Sequence, residues 1–222
     1  MLDKSVAVLA ALAERGPLNL AGLVEATGLP RPTAHRLAAA LETHRLVGRD
    51  AAGRYRLGLR LLGWAGAASA EVGLVEAARP VLAGLRDETG ESAQLFVRDG
   101  DRRVCVAAAE RASGLRDTVP VGSVLPLDRG SGGKVLLAFD ADAGGSGPED
   151  FEAVRRRGWA ASVAEREEGV ASVSAPVLDA AGRVRAAVSV SGPIQRLGRQ
   201  PGRHLAAPVM AAAREIERRA SP

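Results

Sequence analysis

The stretch Thr27-Gly28-Leu29-Pro30-Arg31-Pro32-Thr33 constrains this chain more than any other. Pro30 and Pro32 each fix φ and lack an N–H, so a helix cannot run through them from the N-terminal side. A new helix can begin there, because its first N–H groups have no intrahelical partner in any case. Gly28 sits where a preceding helix, capped at Asn19 and carrying Leu20, Leu23 and Val24 at helical spacing, needs a positive φ to stop. Two short helices must therefore meet at a tight turn. The second gathers Ala34, Leu37, Ala38 and Leu41 on one apolar stripe and leaves Arg31, Thr33, His35 and Arg36 outside.

A second helix that offers arginine, threonine and histidine from its first turns has the layout of a recognition helix in the major groove. Arginine suits both tasks there, forking onto guanine or pairing with phosphate. An ordinary helical hairpin with solvated arginines fits the spacing as well. The next segment favours the first reading. Leu46 to Arg49, the turn Asp50-Ala51-Ala52-Gly53, and Arg54 to Leu57 predict two short strands, a wing carrying Arg49, Arg54 and Arg56. Upstream, Val6, Leu9, Ala10 and Ala13 predict a helix over residues 4–15 that Gly16-Pro17 stops, completing a winged-helix core.

The charge distribution points the same way. The net charge is +4 over 222 residues, and residues 1–65 hold nine lysines and arginines against five acids, so the remaining 21 basic and 21 acidic groups cancel. All the excess positive charge lies on the segment proposed to meet phosphate. With 46% apolar residues the chain can bury real cores. It contains no long uncharged apolar run for a membrane span, and Met1-Leu2-Asp3-Lys4 does not open a signal peptide, so a cytoplasmic location is expected. Cys105 is the only cysteine, which excludes an intramolecular disulfide and a cysteine-built metal site. Beside Val104 and Val106 it reads as a buried small hydrophobe, with a redox sensor as the minor alternative.

Beyond the wing, residues 59–75 predict a connecting helix whose small residues, such as Gly63 and Ala65, permit a dimer contact; a solitary linker is the alternative. A further helix runs from Leu74 to about Thr89, with Pro80 at a kink or a break. Residues 92–98 and 102–108 predict a hairpin, and Arg116 to Val121 another strand. Gly130-Ser131-Gly132-Gly133-Lys134 opens an apolar helix, an arrangement whose free N–H groups favour an anion such as a carboxylate, unless the glycines serve only a tight strand-to-helix turn. It is not a nucleotide-binding loop, since Val135 stands where Ser or Thr is required. Asp140 to Pro148 is small and polar. Phe151 to Arg157 predicts a short helix, residues 158–162, 170–177 and 184–192 strands, and residues 204–219 a helix packing on the sheet. On the last strand Ser189 and Ser191 share one face and Val188 and Val190 the other, so the hydroxyls either line a polar pocket or face solvent.

The run from Gly28 to Leu37, the wing Gly53-Arg54-Tyr55-Arg56-Leu57-Gly58, and the segments Gly169 to Pro176 and Val188 to Pro193 resemble the IclR family of bacterial transcription regulators over nearly the whole chain. The resemblance extends in particular to actinobacterial members that regulate amino-acid biosynthesis, leucine biosynthesis included. It implies an α+β chain: a winged helix-turn-helix DNA-binding domain (1–58), a linker helix (59–74) and a GAF-like α/β effector-binding domain (75–222). DNA would be met by Arg31, Pro32, Thr33, His35, Arg36, Arg49, Arg54 and Arg56. A small effector, an amino acid or organic acid, would be lined by Leu125, Ser131, Gly132, Ser162, Val170, Ser172, Ser189 and Ser191. Many relatives carry an acidic group near Ser162 and a cysteine at Ser172, and they run longer where residues 140–150 look shortened here. The family also implies repression, homodimers on a palindromic operator and tetramers, with no cofactor, no metal and no membrane partner. An enzyme has little support, because His35, His44 and His204 are the only histidines and the first two lie in the DNA-binding segment. A DNA-binding regulator whose second domain only oligomerises remains the alternative.

Overall fold

The computed structural model describes residues 1–68, 72–140 and 151–220, which separate into two compact units, Met1–Ala70 and Glu71–Pro222. In the first unit, α1 (Leu2–Arg15), α2 (Leu20–Thr27) and α3 (Arg31–Thr43) pack around Val8, Leu12, Leu23, Leu37 and Leu41. The Asn19 side chain accepts the Gly22 N–H at 2.9 Å and so begins α2. Gly28, with φ 64°, ends it by returning its N–H to the Val24 carbonyl, leaving Pro30 as the N-cap of α3. The wing is β1 (Val47–Arg49) paired antiparallel with β2 (Tyr55–Leu57). Leu18 joins it by two backbone bonds to Tyr55, of 2.9 and 2.8 Å, tying the helices to the hairpin. Gly58 follows where no side chain fits: a Cβ there would stand 2.0 Å from the Arg45 carbonyl oxygen. Helix α4 (Arg60–Ala68) closes the unit, with Arg60 Nη1 donating to the His44 carbonyl.

The second unit is an antiparallel sheet of order β5-β4-β3-β8-β7-β6. Its elements are α5 (Val72–Thr89), β3 (Ser92–Asp99), β4 (Arg102–Ala109), β5 (Val124–Pro126), α6 (Ser131–Ala138), α7 (Phe151–Arg157), β6 (Ala160–Val163), β7 (Val170–Leu178), β8 (Val184–Pro193), α8 (Ile194–Leu197) and α9 (Gly202–Ala220). Strand alternation divides the core. Leu95, Val173, Val188 and Val190 meet Leu82 of α5 and Val209 and Ile216 of α9 on one face. Phe96, Cys105 and Ala187 meet Val135 and Leu136 of α6 on the other. Both faces are thus covered, which is why the serine face of β8 is buried rather than solvated.

Three expectations change in detail. The connecting stretch 59–75 is α4 and the start of α5, and residues 69–71 between them lie outside the described residues, as do residues 141–150 of the polar segment. Helix α5 runs through Pro80, which is exposed at its surface. Arg116 to Val121 is not a strand: Pro120 has no N–H to give a ladder, and Gly122 turns the chain with φ 91°. Gly122 and Ser123 instead exchange backbone bonds with Cys105, and the pairing strand on that edge is β5.

One turn is built twice. Asp50-Ala51-Ala52-Gly53-Arg54 in the wing and Asp179-Ala180-Ala181-Gly182-Arg183 between β7 and β8 share a sequence pattern and a bonding pattern. In each, one aspartate oxygen accepts the N–H groups two and four residues on and the other accepts the arginine Nε, at 2.8 to 3.0 Å throughout. These bonds hold both aspartates below the ordinary carboxylate pKa, the backbone N–H of Arg54 or Arg183 being the largest cause.

Candidate nucleic-acid interface and polar cavity

At about 100° per residue, the buried Ala34, Leu37, Ala38 and Leu41 occupy one sector of α3, Pro32 and Arg36 lie opposite it, and Arg31, Thr33 and His35 lie on the flanks. Arg31, Pro32, His35 and Arg36 are exposed, and Thr33 is half-buried. Among the described residues Arg31, His35 and Arg36 have no hydrogen-bond or ion-pair partner, so their donors are free to meet another molecule. The wing arginines differ. Arg49 Nε donates to Glu42 at 3.1 Å and its guanidinium lies 4.2 Å from the Tyr55 ring centre. Arg54 is paired with Asp50 at 2.8 Å, and Arg56 donates to the carbonyls of Arg49 and Leu57. The structure therefore offers one surface of uncommitted cations on α3 and a flanking hairpin whose cations are held in place.

In the second unit, Leu125, Ser131, Gly132, Ser162, Val170, Ser172, Ser189 and Ser191 all line one cavity. About 380 Å³ lies between its atoms, part of it open to solvent. Register explains the convergence: Ser162 lies across from Ser172, Ser172 from Ser191, and Ser174 from Ser189. Three strands thus present hydroxyls to one side, and the N-terminus of α6 descends onto them. Ser131 Oγ lies 2.7 Å from Ser172 Oγ and 2.8 Å from Ser174 Oγ, and Ser174 donates to Ser189 at 2.9 Å. Ser191 donates to Gln94 Oε1 at 3.2 Å.

The glycines at the head of α6 serve close approach. A Cβ on Gly133 would stand 2.1 Å from the Leu127 carbonyl oxygen, and one on Gly132 would stand 3.3 Å from the Phe96 ring. The Gly130 N–H donates to Glu165 at 3.1 Å, and Glu165 also receives Lys134 Nζ at 2.5 Å. The first helical N–H groups, of Ser131, Gly132 and Gly133, have no intrahelical acceptor and carry the positive end of the helix dipole.

Further polar residues on the cavity wall escape a reading by motif, among them Gln94, Arg103, Asp117, Arg166 and Glu167. Arg166 Nη2 bonds both carboxylate oxygens of the buried Asp117 at 2.7 Å. Arg103 is 3% exposed and lies over the Phe96 ring; burial, followed by the nearby charge of Arg166, lowers its pKa to about 10. A sequence signal for it exists, since Arg103 is in phase with the buried Cys105 on β4. Cys105 itself is fully enclosed, and burial pushes its thiol up to about 12. Arg155 and Arg157 donate to the carbonyls of Ala138 and Trp159, and no cluster of three metal-ligating side chains occurs among the described residues.

Comparison with known proteins gives a consistent result. A profile described as the IclR helix-turn-helix domain matches residues 1–51. Another, described as bacterial transcriptional regulator IclR C-terminal, matches residues 66–145 and 148–218. The glycerol operon regulatory protein of Streptomyces griseus is 32% identical over 219 residues, covering 88% of this chain and 85% of its own. A Rhodococcus sp. RHA1 crystal structure, described as a transcriptional regulator, superposes with a TM-score of 0.76 at 26% identity over 98% of this chain and 96% of its own. An IclR homolog from Microbacterium hydrocarbonoxydans, solved as a complex with 4-hydroxybenzoate, has the same fold, with a TM-score of 0.74 at 24% identity over 99% of this chain and 98% of its own.

Proposed function

This chain belongs to the IclR family of DNA-binding transcriptional regulators, and from that premise we propose that it is a ligand-responsive repressor. Helix α3 enters the major groove with Arg31, Pro32, Thr33, His35 and Arg36. The wing sets Arg49, Arg54 and Arg56 against the backbone or the adjacent minor groove. The observation that carries this reading is the set of exposed, partnerless donors on α3 outside its buried stripe. A homodimer reads a two-fold operator, and it assembles further through the second unit. Leu2 and Val6 on α1 and Leu62 and Trp64 on α4 are exposed apolar groups that support a self-contact in the first unit.

The effector, an amino acid or organic acid, occupies the cavity beneath α6. It shifts regulation by binding unequally to two arrangements of the DNA-binding heads, since equal affinity would move nothing. The regulated genes belong to amino-acid metabolism in this reading, a link that rests on sequence resemblance. One observation favours the alternative in which the second unit only oligomerises: the hydroxyls of Ser172, Ser131, Ser174 and Ser189 already bond one another and need no ligand.

Binding to DNA upstream of this gene and of leucine-biosynthesis genes is measured at several salt concentrations, with and without branched-chain amino acids and their keto acids. Selective, salt-steep binding that a ligand alters is the expected result. Selective binding that no ligand touches favours the oligomerising domain, and binding without selectivity removes α3 from the recognition role.

A further inference from the structure

Glu42 is a carboxylate in a place that disfavours one twice. It lies in the last turn of α3, at the negative end of the helix dipole, and it belongs to the unit that carries the excess positive charge and would meet phosphate. Arg49 of β1 offsets both effects. Its Nε donates to the two Glu42 oxygens at 3.1 and 3.4 Å.

The same guanidinium holds the rest of the wing. Nη1 donates to the Gly53 carbonyl in the hairpin turn at 3.2 Å, and the group lies 4.2 Å from the centre of the Tyr55 ring. Tyr55 is buried and bonded through its backbone to Leu18. One side chain thus ties the end of α3 to the hairpin turn and to β2. That matters because β1 and β2 are three residues each, and so short a two-stranded hairpin is marginal by itself. Glu25 pairs with Arg15 between α1 and α2, and Asp50 pairs with Arg54 inside the turn. Among the described residues of this unit, only Glu42 joins a helix to the wing by an ion pair. An isolated pair with this much exposure is worth little, but here several contacts converge on one planar group and act together on the angle of the wing.

We propose that Glu42 is a positioning residue for DNA recognition: it holds Arg49, and through it the wing, at the angle that lets the hairpin and α3 engage one duplex together. The inference rests on the reading of α3 and the wing as the DNA-binding surface, and it adds a residue that does not itself touch DNA. It also fixes a sign. If charge alone counted, removing this acid would strengthen binding, because phosphate would meet one negative group fewer. If Glu42 positions the wing, removing it weakens binding although the net charge becomes more favourable.

The test titrates the full-length protein, at several salt concentrations, with the duplex upstream of its own gene and with a scrambled duplex of the same length. Glu42→Gln, which keeps the shape and removes the charge, is expected to bind the upstream duplex about 3- to 10-fold more weakly than the parent, between the effect of an exposed ion pair and that of a charged hydrogen bond. Its log–log salt slope should fall by about 0.9, one phosphate, as Arg49 is released. A role in stability alone would leave the slope of the folded protein unchanged. In the Arg49→Met background the same substitution should cost nothing further. Glu25→Gln removes an equal charge from α2 and should not weaken binding. If Glu42→Gln does not fold, Arg49→Lys carries the test: it keeps the charge but cannot reach Glu42 and Gly53 together, so affinity should fall by a similar factor. Affinity of Glu42→Gln at or above the parent's, a slope unchanged or steeper, an equal loss in Glu25→Gln, a full loss that persists in the Arg49→Met background, or, where Glu42→Gln is not folded, parental affinity in Arg49→Lys would each overturn the proposal. A parent without preference for the upstream duplex takes down the reading of α3 and this proposal with it. A parent that keeps the preference while Glu42→Gln binds equally well leaves that reading standing and removes Glu42 alone.

Discussion

Arg36 lies on the outward sector of α3 with no internal partner, so replacing it removes a contact to DNA and nothing the fold needs. Arg36→Ala is expected to lower operator affinity by about 1–3 kcal/mol, the range of one good base contact. Its thermal unfolding and oligomeric state should match the parent, and unchanged affinity in a gel-shift titration would take the residue out of the recognition set. Cys105 makes the opposite kind of prediction. Burial raises its thiol to about 12, so the native protein holds almost no thiolate at neutral pH, and iodoacetamide should label it slowly until denaturant is added. The sign of the linkage follows. The protonated thiol favours the folded state, so its contribution is complete below the ordinary thiol range and declines as pH rises from there toward 12, because the unfolded chain ionises first. Rapid native labelling would revive a redox role.

At the scale of elements, the sequence was most legible where local chemistry dictates the outcome. Pro30, Gly28 and Asn19 each leave one backbone solution, and α2, the turn and α3 follow from them. The wing was legible because Asp50 and Gly53 close a turn whose bonds are internal to five residues. Arg116 to Val121 was misjudged because its apolar alternation looks like a strand, while Pro120 and Gly122 decide which edge of β4 remains available. Gly58 hides a tertiary constraint behind an unremarkable position. Gly58→Ala forces its methyl onto the Arg45 carbonyl, and the first unit should lose about 1–3 kcal/mol of stability, typical of an overpacked core. A melting temperature equal to the parent's in the full-length chain would show that the α3-to-wing connection yields more easily than its geometry implies.

For the molecule as a whole, the division of charge was readable from composition alone, and it sets how the protein meets DNA. The logarithm of affinity should fall linearly with that of salt concentration, by about 0.9 per phosphate engaged. Arg31→Ala should flatten the line by roughly one such step, whereas Arg214→Ala on α9, in the electroneutral second unit, should leave the slope unchanged. What composition could not reveal was the cavity. Its wall comes from β3, β4, β5, β6, β7, β8 and the head of α6, and the burial of Arg103 beside them depends on where those elements meet in space. The serines were reached through resemblance and alternation, the arginine through neither. The twice-built turn bears on how such a protein changes over generations. Its shape is set by one aspartate, one glycine and one arginine, while Ala51 and Ala52 project from the wing with exposed side chains. Substitutions at those two positions alter what the hairpin tip presents while leaving the bonds that shape it intact. A lineage could therefore drift toward new operators through the wing tip without first having to re-stabilise its fold.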